Sequence, residues 1–137
     1  MIVVDTNVIV YLLIKGPLSP VARRVVEKEA RWSAPRLWRS ELRNVLIGYL
    51  RRGALSSDEA QQILRRAETR LAARSAEVDH AEVLQLALVS GCTTYDCEFV
   101  AVARAAGVPL VTADRRLLAA FPSLAVAPEV FAPAFEN

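Results

Sequence analysis

Ile2, Val3 and Val4 form the chain's first unbroken apolar run, the pattern of a strand buried on both faces of a parallel sheet. The polar triplet Asp5-Thr6-Asn7 ends it, and the apolar residues after Val8 predict a short helix that stops at Gly16-Pro17. Ser19 followed by Pro20 predicts the next helix, with proline at its first position and Val21, Ala22, Val25 and Val26 on its apolar face. Trp32-Ser33-Ala34 then reads as a strand that Pro35 interrupts. From about Leu37 to Arg52, the residues Leu42, Val45, Leu46, Tyr49 and Leu50 recur at helical spacing, with Gly53 as the stop. Ser56 and Glu59 form a capping box ahead of a helix whose buried face is Ala60, Ile63, Leu64, Ala67 and Leu71.

Further along, Ala76-Glu77-Val78 is a weak strand pattern, and Asp79 with Glu82 starts a helix containing Val83, Leu84, Ala87 and Leu88. Asp96 opens a helix from Cys97 to Ala106 that is apolar nearly all round and so expected to be buried on most sides. After Gly107 and Pro109, Leu110-Val111-Thr112 repeats the opening device: an apolar strand, threonine close by, and an aspartate, Asp114, at the carboxyl end. Arg115 to Ala120 is expected as a short helix, Leu124-Ala125-Val126 as an edge strand, and the proline-interrupted remainder as a tail. Strands alternating with helices predict an α/β fold, with a mainly parallel sheet of about four or five strands and helices on both faces. No linker, low-complexity segment or fixed-period repeat divides the pattern, so residues 1–137 are expected to form one domain.

A length of 137 residues, 53% of them hydrophobic, suits one ordinary domain with a substantial core. The net charge is only +2, but Lys15 and Lys28 are the only lysines, so the basic side chains are nearly all arginine. Arginine suits phosphate recognition, although the same bias also follows from the base composition of a genome. Arg65, Arg66 and Arg70 share the polar face of the helix that follows Ser56, where a solvated surface is the bland reading and an RNA-contacting patch the functional one. Cys92 and Cys97 are too few for a disulfide framework, and no Cys/His set has zinc spacing; both read as small buried hydrophobes in a reducing compartment. The amino terminus lacks a basic n-region, and Asp5 breaks its apolar run well short of the roughly 20 residues a membrane span needs. The expectation is a soluble, cytoplasmic protein without a membrane partner.

Chemistry enters with four acids at special places: Asp5 and Asp114 at the ends of the two best strands, Asp96 at a helix start, and Glu41 on a helix flank beside Asn44. Each has a bland reading alone, Asp96 as a helix cap, Asp114 as a turn residue and Glu41 as a surface charge. Asp5 has the weakest one, because core-like runs flank it on both sides and an ionised carboxylate there needs a cation, donors or an open cleft. If the four converge, two carboxylates about 4 Å apart repel by roughly 1 kcal/mol in water and about 4 kcal/mol at an effective dielectric of 20. Such a cluster must protonate, open to solvent or bind a cation, and hard oxygen ligands suit Mg²⁺ or Mn²⁺ with a substrate phosphate. His80 is the only histidine, so a hydrolase triad or histidine-pair ribonuclease chemistry lacks its parts. A phospho-aspartyl phosphatase would want an acid where Asn7 stands, and a lysine late in the chain, where there is none after Lys28.

Asp5-Thr6-Asn7 after a short strand, Glu41 with Asn44 in the third helix, Thr94-Tyr95-Asp96 leading into an Ala-rich helix through Ala103, and Thr112-Ala113-Asp114 after Leu110-Val111 together resemble the PIN-domain ribonucleases. The closest match within that family is the VapC-type toxins of toxin-antitoxin pairs, over nearly the whole chain. Departures from the family pattern are small: Cys97 stands where alanine is common, Phe99 where tyrosine is common, and Leu117 where an aromatic is common. The resemblance implies a PIN-like α/β/α sandwich that gathers the acids at the carboxyl edge of its sheet. It also implies Mg²⁺-dependent endonucleolytic cleavage of RNA, self-association into a homodimer, and inhibition by a VapB-type antitoxin whose tail covers the acidic pocket. Carried over residue by residue, it makes Asp5 and Asp96 direct metal ligands, with Glu41 and Asp114 completing the catalytic pocket directly or through water. Asn7, Asn44 and Thr112 become supporting hydrogen-bond partners, and arginines supply the contacts to the RNA backbone. The competing reading is a non-catalytic RNA-binding or scaffold module that keeps the PIN-like fold.

Overall fold

In a computed structural model that describes residues 1–135, five strands form one sheet: β1 (Ile2–Val4), β2 (Trp32–Pro35), β3 (Ser75–Ala76), β4 (Leu110–Val111) and β5 (Ala125–Val126). Their order is β3-β2-β1-β4-β5 and every pairing is parallel, with Val3 opposite Ser33 on one side and Leu110 on the other. Because β1 leads to β2 on one side and pairs with β4 on the other, the winding reverses between β1 and β4. A crevice beyond the carboxyl ends of those two strands is the consequence.

The helices are α1 (Thr6–Leu13), α2 (Ser19–Lys28), α3 (Trp38–Arg51), α4 (Ser57–Leu71), α5 (His80–Ser90), α6 (Thr94–Ala106), α7 (Arg115–Ala120) and α8 (Pro128–Phe131). As its composition predicts, α6 is deeply buried, with every residue from Phe99 to Ala103 in the core, and it packs against β1, β2 and β4. On the same sheet α4 meets β2, while α1 joins α2, α3 and α4. Trp32 and Trp38 are fully buried because their indole N–H groups are satisfied, by the Glu29 carbonyl and the Ser75 hydroxyl, each at 2.9 Å. The Ser56–Glu59 capping box is present with both of its reciprocal bonds.

Several expectations shift. Ser19 does not cap α2: Leu18 holds that place, and the Ser19 hydroxyl is turned back to donate to the Ile14 carbonyl and accept from the Gly16 N–H. The third strand is Ser75–Ala76, one residue earlier and shorter than its pattern suggests, because a 3₁₀ turn over Ala72–Arg74 brings the chain directly from α4 to the edge of β2. In α5 the buried residues are Val83 and Leu86, whereas Leu84, Leu88 and Val89 are 63%, 81% and 76% exposed. Thr93, not Asp96, caps α6, which leaves the Asp96 carboxyl free to face the crevice. The tail is not loose in its first part: α8 lies on α2, where the Lys28 ammonium sits 4.4 Å from the Phe131 ring centre and Arg24 donates to the Ala132 carbonyl. The last two residues of that tail lie outside the described residues. Among the described residues no single helix is long and apolar enough to cross a membrane.

Candidate active site

Asp5 ends β1 and is the N-cap of α1, so strand and helix together fix its carboxyl group. One carboxylate oxygen accepts from the Thr6 N–H at 2.8 Å, and the other accepts from the Thr112 hydroxyl at 2.7 Å and the Asn7 amide at 3.3 Å. The Thr112 hydroxyl in turn accepts from the Asp114 N–H at 3.0 Å, so the ends of β1 and β4 are laced together through one buried threonine. Neighbouring parallel strands bring this about, because they place residues over 100 positions apart side by side at the same edge.

Around this anchor the other acids gather. Asp5, Glu41, Asp96 and Asp114 all line one cavity of about 570 Å³ at the β1/β4 crevice, with Asn7 and Asn44 at its walls. Glu41 is held by the Thr6 hydroxyl, which donates to it at 2.7 Å. Asp114 keeps its bland role as well, since one of its oxygens accepts from the Arg116 and Leu117 N–H groups and caps α7. Thr112 lies just beneath the cavity floor, fully buried, where it acts on Asp5. Asn44 is an exposed wall residue without a hydrogen bond to the acids, so its expected part in holding them is not realised in this arrangement. His80 stands away from the cavity, at the first position of α5. Cys92 and Cys97 are buried and unpaired, as expected.

Sequence reasoning passed over Thr6 as a site residue and did not single out Tyr11, which lines the cavity on α1. For Thr6 a signal existed, a hydroxyl directly after the strand-end acid, but its partner Glu41 is 35 residues away and only the packing of α1 on α3 brings them together.

Electrostatically the cavity is short of positive charge. Burial raises the Asp5 carboxyl, against the hydrogen bonds from Thr112 and Thr6, and the charges of Asp96 and Asp114 push the same way; the outcome is about 6. Burial also raises Glu41, opposed by the Thr6 hydroxyl and assisted by Asp5, Asp96 and Glu98. Asp96 is raised by burial and by Asp114, with Arg116 pulling it back. Among the described residues no arginine, lysine or histidine lines the cavity, so no cation of that lining neutralises the carboxylates. The donor set is oxygen throughout, which fits Mg²⁺ or Mn²⁺ and not a soft metal. Among the described residues no three acids are drawn together as a ready-made cage.

The PIN domain family model matches residues 2–122. Ribonuclease VapC3 of Pyrobaculum aerophilum is 35% identical over 127 residues, which cover 90% of this chain and 96% of the relative. The crystal structure of PAE2754, also from Pyrobaculum aerophilum, superposes with a TM-score of 0.74 at 26% identity, covering 93% of this chain and 90% of that one. A toxin-antitoxin complex from Klebsiella pneumoniae contains a chain with a TM-score of 0.70 at 17% identity, covering 93% of this chain and 98% of its own, and so shares the fold.

Proposed function

The chain belongs to the PIN-domain family, and on that premise we propose that it is a metal-dependent endoribonuclease acting as the toxin of a toxin-antitoxin pair in the cytoplasm. The observation that carries this reading is the acid cavity: four carboxyl groups at a sheet edge, with no arginine, lysine or histidine among the described residues that line it. A module that merely bound a polyanion would gain nothing from such a wall. In this reading Asp5 and Asp96 hold Mg²⁺ or Mn²⁺ directly, and Glu41 and Asp114 complete the set directly or through water. The ion, when bound, supplies Lewis acidity to the phosphodiester and to the attacking water, so no histidine base is needed.

The chain's own residues do the rest. Thr112 and Asn7 orient Asp5, and Thr6 orients Glu41, so the acids keep their places as charge develops. Asn44 and Arg43 share a shallow extension of the cavity along α3, and Arg116 stands near Asp96; these groups hold the RNA backbone on either side of the scissile bond. The protein partner is a VapB-type antitoxin whose tail covers the acid cavity, a role supported by the likeness to VapC3 and to the Klebsiella complex.

The test is cleavage of a defined single-stranded RNA by antitoxin-free protein, with Mg²⁺ or Mn²⁺ and with chelator. Cleavage that disappears with chelator is expected. Equal cleavage in both conditions would reject the metal, and an uncut panel of varied RNAs under conditions where the metal binds would favour the binding module. Self-association is the second part of the proposal: Leu84, Leu88 and Val89 on α5 form an apolar face suited to a second copy. Leu88→Lys is expected to convert the dimer to monomer in light scattering while leaving the circular dichroism unchanged. A wild type that is already monomeric at tens of micromolar would sink this assignment.

A further inference from the structure

The arginines that the function leaves unused are not a plain solvated face. Arg65, Arg66, Arg70 and Arg74 line a groove of about 640 Å³ whose floor includes Leu12 and Leu13 of α1. It shares no residue with the acid cavity, yet the same short helix borders both: Val10 and Tyr11 face the acids and the next two residues face the arginines. The helix that borders both is eight residues and about 12 Å long, short enough for a few nucleotides of extended strand to run along it.

The four guanidinium groups are also available. Arg74 is held in place by donating to the Trp32 carbonyl at 2.8 Å and the Arg70 carbonyl at 2.6 Å, and the Arg70 guanidinium lies 5.4 Å from the Trp32 ring centre. Arg65 and Arg66 are exposed, and among the described residues none of the four forms an ion pair. Two acids adjoin groove residues in sequence and both are engaged elsewhere: Glu29, beside Ala30, by the Met1 ammonium at 2.9 Å and by Arg31, and Glu68, beside Thr69, by Arg39. What remains is a concave surface of four guanidinium groups, two of them held in place and two exposed, over apolar side chains of α1, a combination that suits a sugar-phosphate backbone.

We propose that this α1/α4 arginine groove is a second RNA-binding site, which holds phosphates of the same strand several nucleotides away from the acid cavity. The ligand class rests on the ribonuclease reading, whereas the site rests on the groove itself. Each phosphate contact on a single strand contributes about 0.7 to the slope of log affinity against log salt, so removal of two contacts lowers the slope by about 1.4.

The experiment measures binding of a non-cleavable 2′-O-methyl oligouridylate of 12 nucleotides across a salt series. R65E/R66E is expected to lose tenfold or more in affinity and about 1.4 in slope. R51E/R104E, which makes the same change of net charge outside the groove, is expected to keep the wild-type slope. The conservative pair R65K/R66K should retain most of the slope, because the charges remain. Equal losses in R65E/R66E and R51E/R104E, or no loss in either, would overturn the proposal. So would a polyglutamate of similar length that binds wild type more tightly than the oligonucleotide does and loses that advantage in R65E/R66E, since the groove would then belong to an acidic protein segment. Metal-dependent cleavage by the wild type is scored separately, so a failed groove and a failed ribonuclease give different results.

Discussion

Asp5→Asn is expected to lower RNA cleavage by about 10³-fold or more while the protein stays folded. A divalent cation contributes several kcal/mol to stabilising charge at an attacked phosphate, and about 4 kcal/mol corresponds to that factor. The fold survives because asparagine is isosteric and its remaining oxygen still accepts from the Thr6 N–H that starts α1. Metal-free stability should rise rather than fall, by at most about 3 kcal/mol near pH 8, since an ionised carboxylate is removed from a site where burial opposes it. The gain stays below that limit because an amide nitrogen cannot accept from Thr112 and Asn7 as the carboxylate does. Thermal melting and cleavage, measured on the same preparation, check both halves. A variant that still cuts RNA in a metal-dependent way would remove Asp5 from the mechanism, and one that unfolds would make it a structural residue.

Without metal, the wild type is expected to be less stable at pH 8 than at pH 5, and a divalent cation near saturation should remove most of the difference. Asp5 titrates near 3.8 in an unfolded chain and near 6 in the folded protein. Between those values the folded state binds more protons, so stability falls as pH rises through that window. The whole displacement is worth about 3 kcal/mol at 1.36 kcal/mol per unit, and the part lost between pH 5 and pH 8 is about 1.4 kcal/mol, roughly 5 °C in melting temperature for a chain of this size. Glu41 and Asp96 are raised too and act in the same direction. Mg²⁺ at about 100 times its Kd would restore about 2.7 kcal/mol at pH 8 and much less at pH 5, where Asp5 is mostly protonated. Asp5→Asn should show both a flatter pH profile and a smaller metal shift. Equal metal shifts in wild type and variant would place the ion elsewhere.

Local signals carried much of this. The strand Ile2–Val4, the Ser56–Glu59 capping box, the buried helix through Ala103 and the repeat of strand-then-aspartate at Asp114 are all set by neighbours within a few residues, and they appear in the structure as read. Which face of α5 is buried was not legible in the sequence, for a physical reason. Its residues are apolar on several sides, so periodicity cannot say which side is buried, and the contact with α6 chose Val83 and Leu86. The caps of α2 and α6 moved for different reasons: the Ser19 hydroxyl is taken by the backbone ahead of α2, and near the start of α6 two threonines stand beside Asp96, of which Thr93 makes the capping bond.

By itself the sequence determined the alternation of strands and helices and the identity and order of the four acids, because period, capping and strand-end position are local properties. Their meeting was decided by tertiary structure. The parallel pairing of β1 with β4 set Asp5 beside Thr112, and the packing of α1 on α3 set Thr6 against Glu41. The packing of α1 on α4 turned a row of arginines on α4 into the wall of a groove, which no pattern along α4 alone could show, since its floor belongs to α1. Burial, and with it the raised carboxyl of Asp5, likewise exists only once the layers close around the strand end.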